Sequence, residues 1–168
     1  ANDGQAFSNF TVQENQGKNL FLTAPIFNSS GVRTSGGLGC GGCHRAPEFD
    51  IDPNTLNNGF VGNNEDPRIL DLGNTRSPSL RDLVNPSGNI NGPFMHTGVQ
   101  NSLAQVIGHY NRILIRPGNN NIDPRLTPRG FPQKLNVSIQ ERADLIAFLQ
   151  TLTGNDVYTD VRWSNPFQ

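Results

Sequence analysis

Sulfur is scarce in this sequence: two cysteines, Cys40 and Cys43, and a single methionine, Met95, stand in 168 residues. There is no second cysteine pair to complete a structural zinc site, which wants four thiolate or imidazole ligands. Charge of either sign is not in excess, since 13 Lys+Arg against 14 Asp+Glu leave a net charge of -1. That balance gives no basic field for nucleic acid and no polybasic patch for a membrane surface. No apolar run approaches the ~20 residues of a membrane span. Hydrophobic residues make up only 34% of the chain, a thin supply for a core at this length, so something besides side chains is expected to complete that core. What is abundant is 18 Gly and 12 Pro among many Asn, a composition suited to turns and irregular connections. The length fits one domain, residues 1–168, with a core at about 14–155. The chain opens on "ANDGQAF" rather than on Met, which reads as a processed mature protein or an excised domain.

Both cysteines fall in "GGLGCGGCHRAPEF", residues 36–49, where Cys40-Gly41-Gly42-Cys43 runs directly into His44. Four chemistries compete for this spacing. Zinc lacks further ligands nearby, because His96 and His109 are far away in sequence. A thioredoxin-like dithiol would follow a hydrophobic strand, and "TSGGLG" is not one. A disulfide across two residues closes a small strained ring and leaves His44 unexplained. Covalent attachment of a c-type haem uses all three residues: each thiol adds to one vinyl group, and the following imidazole reaches the iron. Two intervening residues let the chain make one turn, and His44 is expected to arrive beneath the iron as a helix starts. One motif predicts one covalently attached haem c. Attachment on the oxidising side of a bacterial inner membrane predicts a periplasmic, outer-membrane-anchored or secreted protein.

The rest of the chain predicts helices joined by long irregular loops. A short helix is expected around Gly17 to Leu22, closed by Pro25, and another in "SPSLRDLV" with Ser77 as N-cap and Pro78 at the first position. "NSLAQVIGHYNR" places Ser102 and Gln105 at capping-box spacing and Leu103, Val106, Ile107 and Tyr110 on one face. "VSIQERADLIAFLQTLTG" is the clearest helix, with Ser138 and Glu141 as capping box, Ile139, Ala143, Ile146, Leu149 and Leu152 on its inner stripe, and Gly154 as its end. The Asn-, Gly- and Pro-rich connections are expected to wrap the haem edge, with solvated decoration as the alternative.

The order "GKNLF", "CGGCHRAPEF", "TRSPSLRDLVNPSGNINGPFMHTGVQNSLAQVIGHYNR" and "ERADLIAFLQTLTG" resembles the C-terminal, electron-transferring haem domain of the di-haem cytochrome c peroxidase and MauG-type family. The resemblance implies an all-α, cytochrome-c-like haem-binding fold with long irregular loops and a closing helix across the motif helix. It places Arg81 of "PSLR" near the haem propionates, with Arg76 as a second cation for the same task. Members carry two haems, one of which binds peroxide; this chain has one attachment motif, and so resembles a mono-haem version lacking the peroxidatic half. It would be a free-standing domain or a module of a larger protein.

The sixth iron position has three candidates. Met95 would form the His/Met pair of a high-potential relay, or else pack in the core beside Pro93 and Phe94. Tyr110 falls where the family's sixth ligand lies, a position held by Met in relay domains and by Tyr in MauG-type members; an inward-facing aromatic is its alternative. His96 with His109 would make a bis-imidazole site. Tyr110 is preferred and Met95 is the alternative. The function expected is single-electron transfer to or from a redox protein partner, with no nucleic acid and no membrane span. The rival is a haem peroxidase with an open distal site, His96 or His109 serving as acid/base; a small-ligand sensor is a third class.

Overall fold

The computed structural model describes residues 4–46, 49–51, 54–63, 65–66, 68–73, 77–154 and 159–163. Among the described residues the α-helices are α1 (Val12–Leu22), α2 (Leu103–Asn111) and α3 (Ile139–Gln150). Between α1 and α2 lie β1 (Pro25–Phe27), β2 (Arg33–Gly36), a 3₁₀ turn at Cys40–Gly42, β3 (His44–Arg45) and β4 (Asp50–Ile51). The strands form two separate antiparallel pairs, β1 with β2 and β3 with β4. The expectation of an all-α fold is therefore wrong: the fold mixes helices with short antiparallel sheet. The cause is local. Asn28 turns the chain between β1 and β2, its Oδ1 accepting from the backbone of Ser30 and Val32 at 3.0 Å each, and the returning strand takes up backbone groups that no helix could satisfy.

Helix α1 starts earlier than the pattern predicts, because Thr11 and Glu14 form a capping box. Thr11 Oγ1 accepts the Glu14 N–H at 3.2 Å, and Glu14 Oε2 accepts the Thr11 N–H at 2.6 Å. The same device starts α3, where Ser138 Oγ accepts from Glu141 N and Glu141 Oε2 from Ser138 N. Glu141 also pairs with Arg33 of β2 at 2.6 Å, and that guanidinium holds its carboxyl below the usual range. The inner stripe of α3 is rotated from the predicted one. Leu149 and Leu152 are buried as expected, but Ile139 is 81% exposed, and Asp144, Leu145 and Phe148 are buried in its stead.

The helix expected in "SPSLRDLV" does not form. Ser79 Oγ accepts the Arg81 N–H at 3.2 Å, Asp82 adopts φ 70°, and the amides of Leu80 and Asp82 donate to the carbonyls of Phe49 and Leu152. Side-chain capture and long-range partners thus outcompete the i to i−4 ladder.

Helices α1 and α3 cross at the centre of the core. Phe21 of α1 meets Phe148 of α3 with ring centroids 5.3 Å apart, and Phe49 packs on both at 5.6 and 6.0 Å. The closing helix thus packs across α1. Gly17 makes the crossing possible, since a Cβ there would lie 1.9 Å from the Asp144 carbonyl oxygen and 2.8 Å from Phe148 Cβ. Gly17→Ala is expected to cost about 3 kcal/mol by forcing the helices apart, measured as a lower denaturant midpoint at unchanged slope. A wild-type midpoint would mean that the helices have room to separate freely.

Candidate haem site

The Cys40–Gly42 turn follows Gly39, which is left-handed at φ 73° and sits so close to Pro25 that a Cβ would approach its Cδ to 2.6 Å. The turn closes with Cys43 N–H donating to the Cys40 carbonyl at 3.2 Å. No helix begins here, in contrast to expectation: His44 enters β3 and pairs with Ile51. Neither cysteine is in a disulfide, both are half-buried, and Cys40 packs against the hydrophobic core. Burial pushes the Cys40 thiol up to about 12. A thiol kept neutral is the opposite of what a redox dithiol requires.

His44 Nδ1 lies 3.0 Å from the Pro78 carbonyl oxygen. A carbonyl only accepts, so the ring proton sits on Nδ1, the tautomer in which Nε2 carries the lone pair, as in a metal-ligating imidazole. Burial pushes the His44 pKa down against the carbonyls of Pro78 and Phe49, which pull it up, so the ring is held neutral. Two adjacent thiols and an oriented neutral imidazole form a donor set that fits a covalently attached haem. Among the described residues, no group of three or more His, Cys, Asp or Glu has metal-holding geometry.

Both leading distal candidates converge on one side chain. Asn58 Nδ2 donates to Tyr110 Oη at 3.0 Å and lies 3.6 Å from Met95 Sδ. Tyr110 stands in the last turn of α2, and burial raises its hydroxyl pKa to about 12; the Asn58 bond opposes this, and the charges of Cys43 and Cys40 reinforce it. Met95 sits in a left-handed turn at φ 63°. His96 and His109 are not paired with each other: Nε2 of His96 bonds the Gly62 carbonyl at 2.9 Å and Nε2 of His109 the Asn58 carbonyl at 2.9 Å, with Phe60 edge-on to both rings. Arg81 is exposed, and Arg76 lies outside the described residues.

Several residues of the site escaped the sequence reading. Asp123, 2% exposed, accepts from the backbone of Leu56 and from Arg125 Nε, and Arg125 Nη1 donates to the Gly42 carbonyl at 2.6 Å, pinning the motif turn. Asn57, fully buried, exchanges amide bonds of 2.9 Å with Asn119. These ties bind residues 54–63 to 119–125, so the loops are packed structure. The "IDPR" run, with Asp as N-cap before Pro, was the one local signal available for Asp123.

No family model matches the chain. Over 79 residues it is 39% identical to the methylamine utilization protein MauG of Methylophilus methylotrophus, covering 47% of this chain and 20% of that protein. Over 125 residues it is 34% identical to MauG of Methylorubrum extorquens, covering 70% of this chain and 32% of that protein. The crystal structure of a MauG-like protein associated with microbial copper homeostasis superposes with a TM-score of 0.58 at 25% identity, covering 99% of this chain and 54% of that one. The chain is thus a distant relative of MauG, of the di-haem cytochrome c peroxidase family, in sequence and in fold. It spans a fifth to a third of the length of these curated relatives. Among the described residues, no helix is long and apolar enough to cross a membrane.

Proposed function

We propose that this chain is a mono-haem c-type cytochrome domain that passes single electrons to or from a redox protein partner in the periplasm or outside the cell. The observation that carries the reading is the Cys40–His44 turn: two cysteines not joined in a disulfide, followed by an imidazole whose Nδ1 proton is engaged by the Pro78 carbonyl. The haem would supply a one-electron Fe(III)/Fe(II) couple. Cys40 and Cys43 would anchor it, His44 would ligate through Nε2, and Arg125 would hold the motif turn in place through Gly42. Tyr110, with Met95 as the alternative, would close the distal side. Arg81 and Arg76 would neutralise propionates.

Electron relay is favoured over peroxide reduction because His96 and His109 both spend Nε2 on loop carbonyls, and because half-buried Tyr110 and Met95 share one polar contact, the Asn58 amide. A peroxidase needs an open face and an acid/base free to turn. With a net charge of -1, the partner would be met without strong electrostatic steering.

The test is expression in a host with a haem-attachment system. Acid-acetone extraction of the denatured protein is expected to leave one haem per chain, and the ferric form to be six-coordinate and slow to bind cyanide. A colourless polypeptide would sink the reading, and rapid peroxide turnover with an added donor would replace the relay by a peroxidase.

A further inference from the structure

Asn58 stands out because every polar group of its side chain is committed in a way that aims it. Its Oδ1 accepts the Phe60 N–H at 3.0 Å. Its own carbonyl accepts from His109 Nε2 at 2.9 Å. With Oδ1 fixed by a donor, the amide orientation is determined, and Nδ2 is the atom that faces Tyr110 Oη at 3.0 Å and Met95 Sδ at 3.6 Å. An N–H to oxygen distance of 3.0 Å is a full hydrogen bond. The longer approach to sulfur is a weaker one. The fully buried Asn57 and the buried Gly59 flank it, and Asn57 is tied to Asn119 and Asn121, so the backbone that presents the amide is anchored from both sides.

We infer that Asn58 is the positioning residue of the distal side: its amide holds the Tyr110 oxygen in place and withdraws electron density from it, setting both which side chain approaches the iron and how strongly it donates. This inference rests on the haem proposal above. An oxygen that accepts a hydrogen bond offers less density to a metal, so the bond raises the reduction potential relative to an unbonded phenolate. The second amide hydrogen, turned toward Met95, keeps the thioether within the same contact without surrendering the phenol. His109 acts here by bracing Asn58, which gives this histidine a role distinct from ligation or acid/base chemistry.

The holoprotein, Asn58→Leu and Asn58→Asp are compared by potentiometric titration with optical detection. Leucine removes both donor and acceptor at similar volume; aspartate keeps an oxygen for the Phe60 N–H and so preserves the turn if leucine does not fold, but it replaces the donor by a negative charge, and Asn58→Asp in the Tyr110→Phe background measures the part of its shift that comes from that charge alone. Both variants are expected to retain covalent haem, shift the ferric spectrum and lower the midpoint potential. In a Tyr110→Phe background, the same Asn58→Leu change is expected to produce little further shift, because the oxygen it acts through is gone. Unchanged potential and spectrum in the haem-loaded variants would overturn the inference, as would an equal shift in the Tyr110→Phe background or loss of haem from both variants, each of which marks Asn58 as merely structural. A parent protein without covalent haem would fail the proposed function and this inference with it; a haem-loaded parent with silent Asn58 variants fails this inference alone.

Discussion

Replacing Cys40 and Cys43 together by alanine is expected to abolish the cooperative thermal transition and remove most of a stability that for a domain of this kind is about 5–15 kcal/mol. The two side chains are small, and losing them as packing groups costs little; the effect would come from losing the haem. Helices of 11, 9 and 12 residues are at or below the length at which an isolated helix is even marginal. Strands of two to four residues are shorter than the usual five or six. The elements therefore depend on tertiary burial. Among the described residues, twelve buried hydrophobic side chains are accompanied by seven buried polar or charged ones, including Lys18, Asp123 and Asp144. A porphyrin would add apolar surface at about 25 cal/mol per Å² removed from water, next to the core cluster that Cys40 touches. Single variants keep one thioether bond and should fall between. Calorimetry decides: a cooperative transition of undiminished enthalpy in the haem-free double variant would show that the polypeptide core suffices.

What could be read from the sequence, and what could not, follows the range of the interactions. Ser138 and Glu141 reveal the start of α3 because both capping bonds close within three residues. Thr11 and Glu14 carry the same signal for α1, which the expectation of a short helix around Gly17 to Leu22 passed over. The rotation of α3 is decided elsewhere, by Gly17 admitting the Asp144 backbone and not by periodicity within α3. "SPSLRDLV" has good starting chemistry for a helix, yet its amides are claimed by Phe49 and Leu152, which only the folded chain brings near. The all-α expectation failed for the same reason, since β1 with β2 and β3 with β4 are pairings of loop segments too short to show an alternating pattern. At the candidate site, Cys40, Cys43 and His44 could be named together because they fall within five residues of one another. Tyr110 and Met95 were named singly, and nothing local shows that an asparagine 52 residues from one and 37 from the other joins them.

Tyr110→Phe is expected to raise the midpoint potential markedly and open the haem to peroxide and cyanide, whereas Met95→Leu is expected to leave the ferric spectrum nearly unchanged. A phenolate favours ferric iron and a thioether favours ferrous iron, so the two candidates make opposite demands on the couple. Position distinguishes them: Tyr110 rides on α2, whose buried Leu103 and Ile107 fix the helix in the core, while Met95 occupies a left-handed turn outside any helix. The Asn58 amide also lies nearer the phenol than the thioether, at 3.0 against 3.6 Å. Phenylalanine keeps the ring and its 5.1 Å edge contact with His109 while deleting the oxygen, and leucine keeps the volume of methionine while deleting the sulfur, so neither variant should open a large cavity. The Tyr110→Phe change does leave one Asn58 N–H without its acceptor, a cost of about 1–3 kcal/mol that should appear as a lower melting temperature in the ferric and ferrous forms alike. A ligation effect separates from it by depending on oxidation state, because a lost phenolate bond weakens the ferric protein more than the ferrous one. Should Met95→Leu instead lower the potential and open the site while Tyr110→Phe leaves both spectra intact, the thioether is the sixth ligand and Tyr110 is the packed aromatic that supports Asn58.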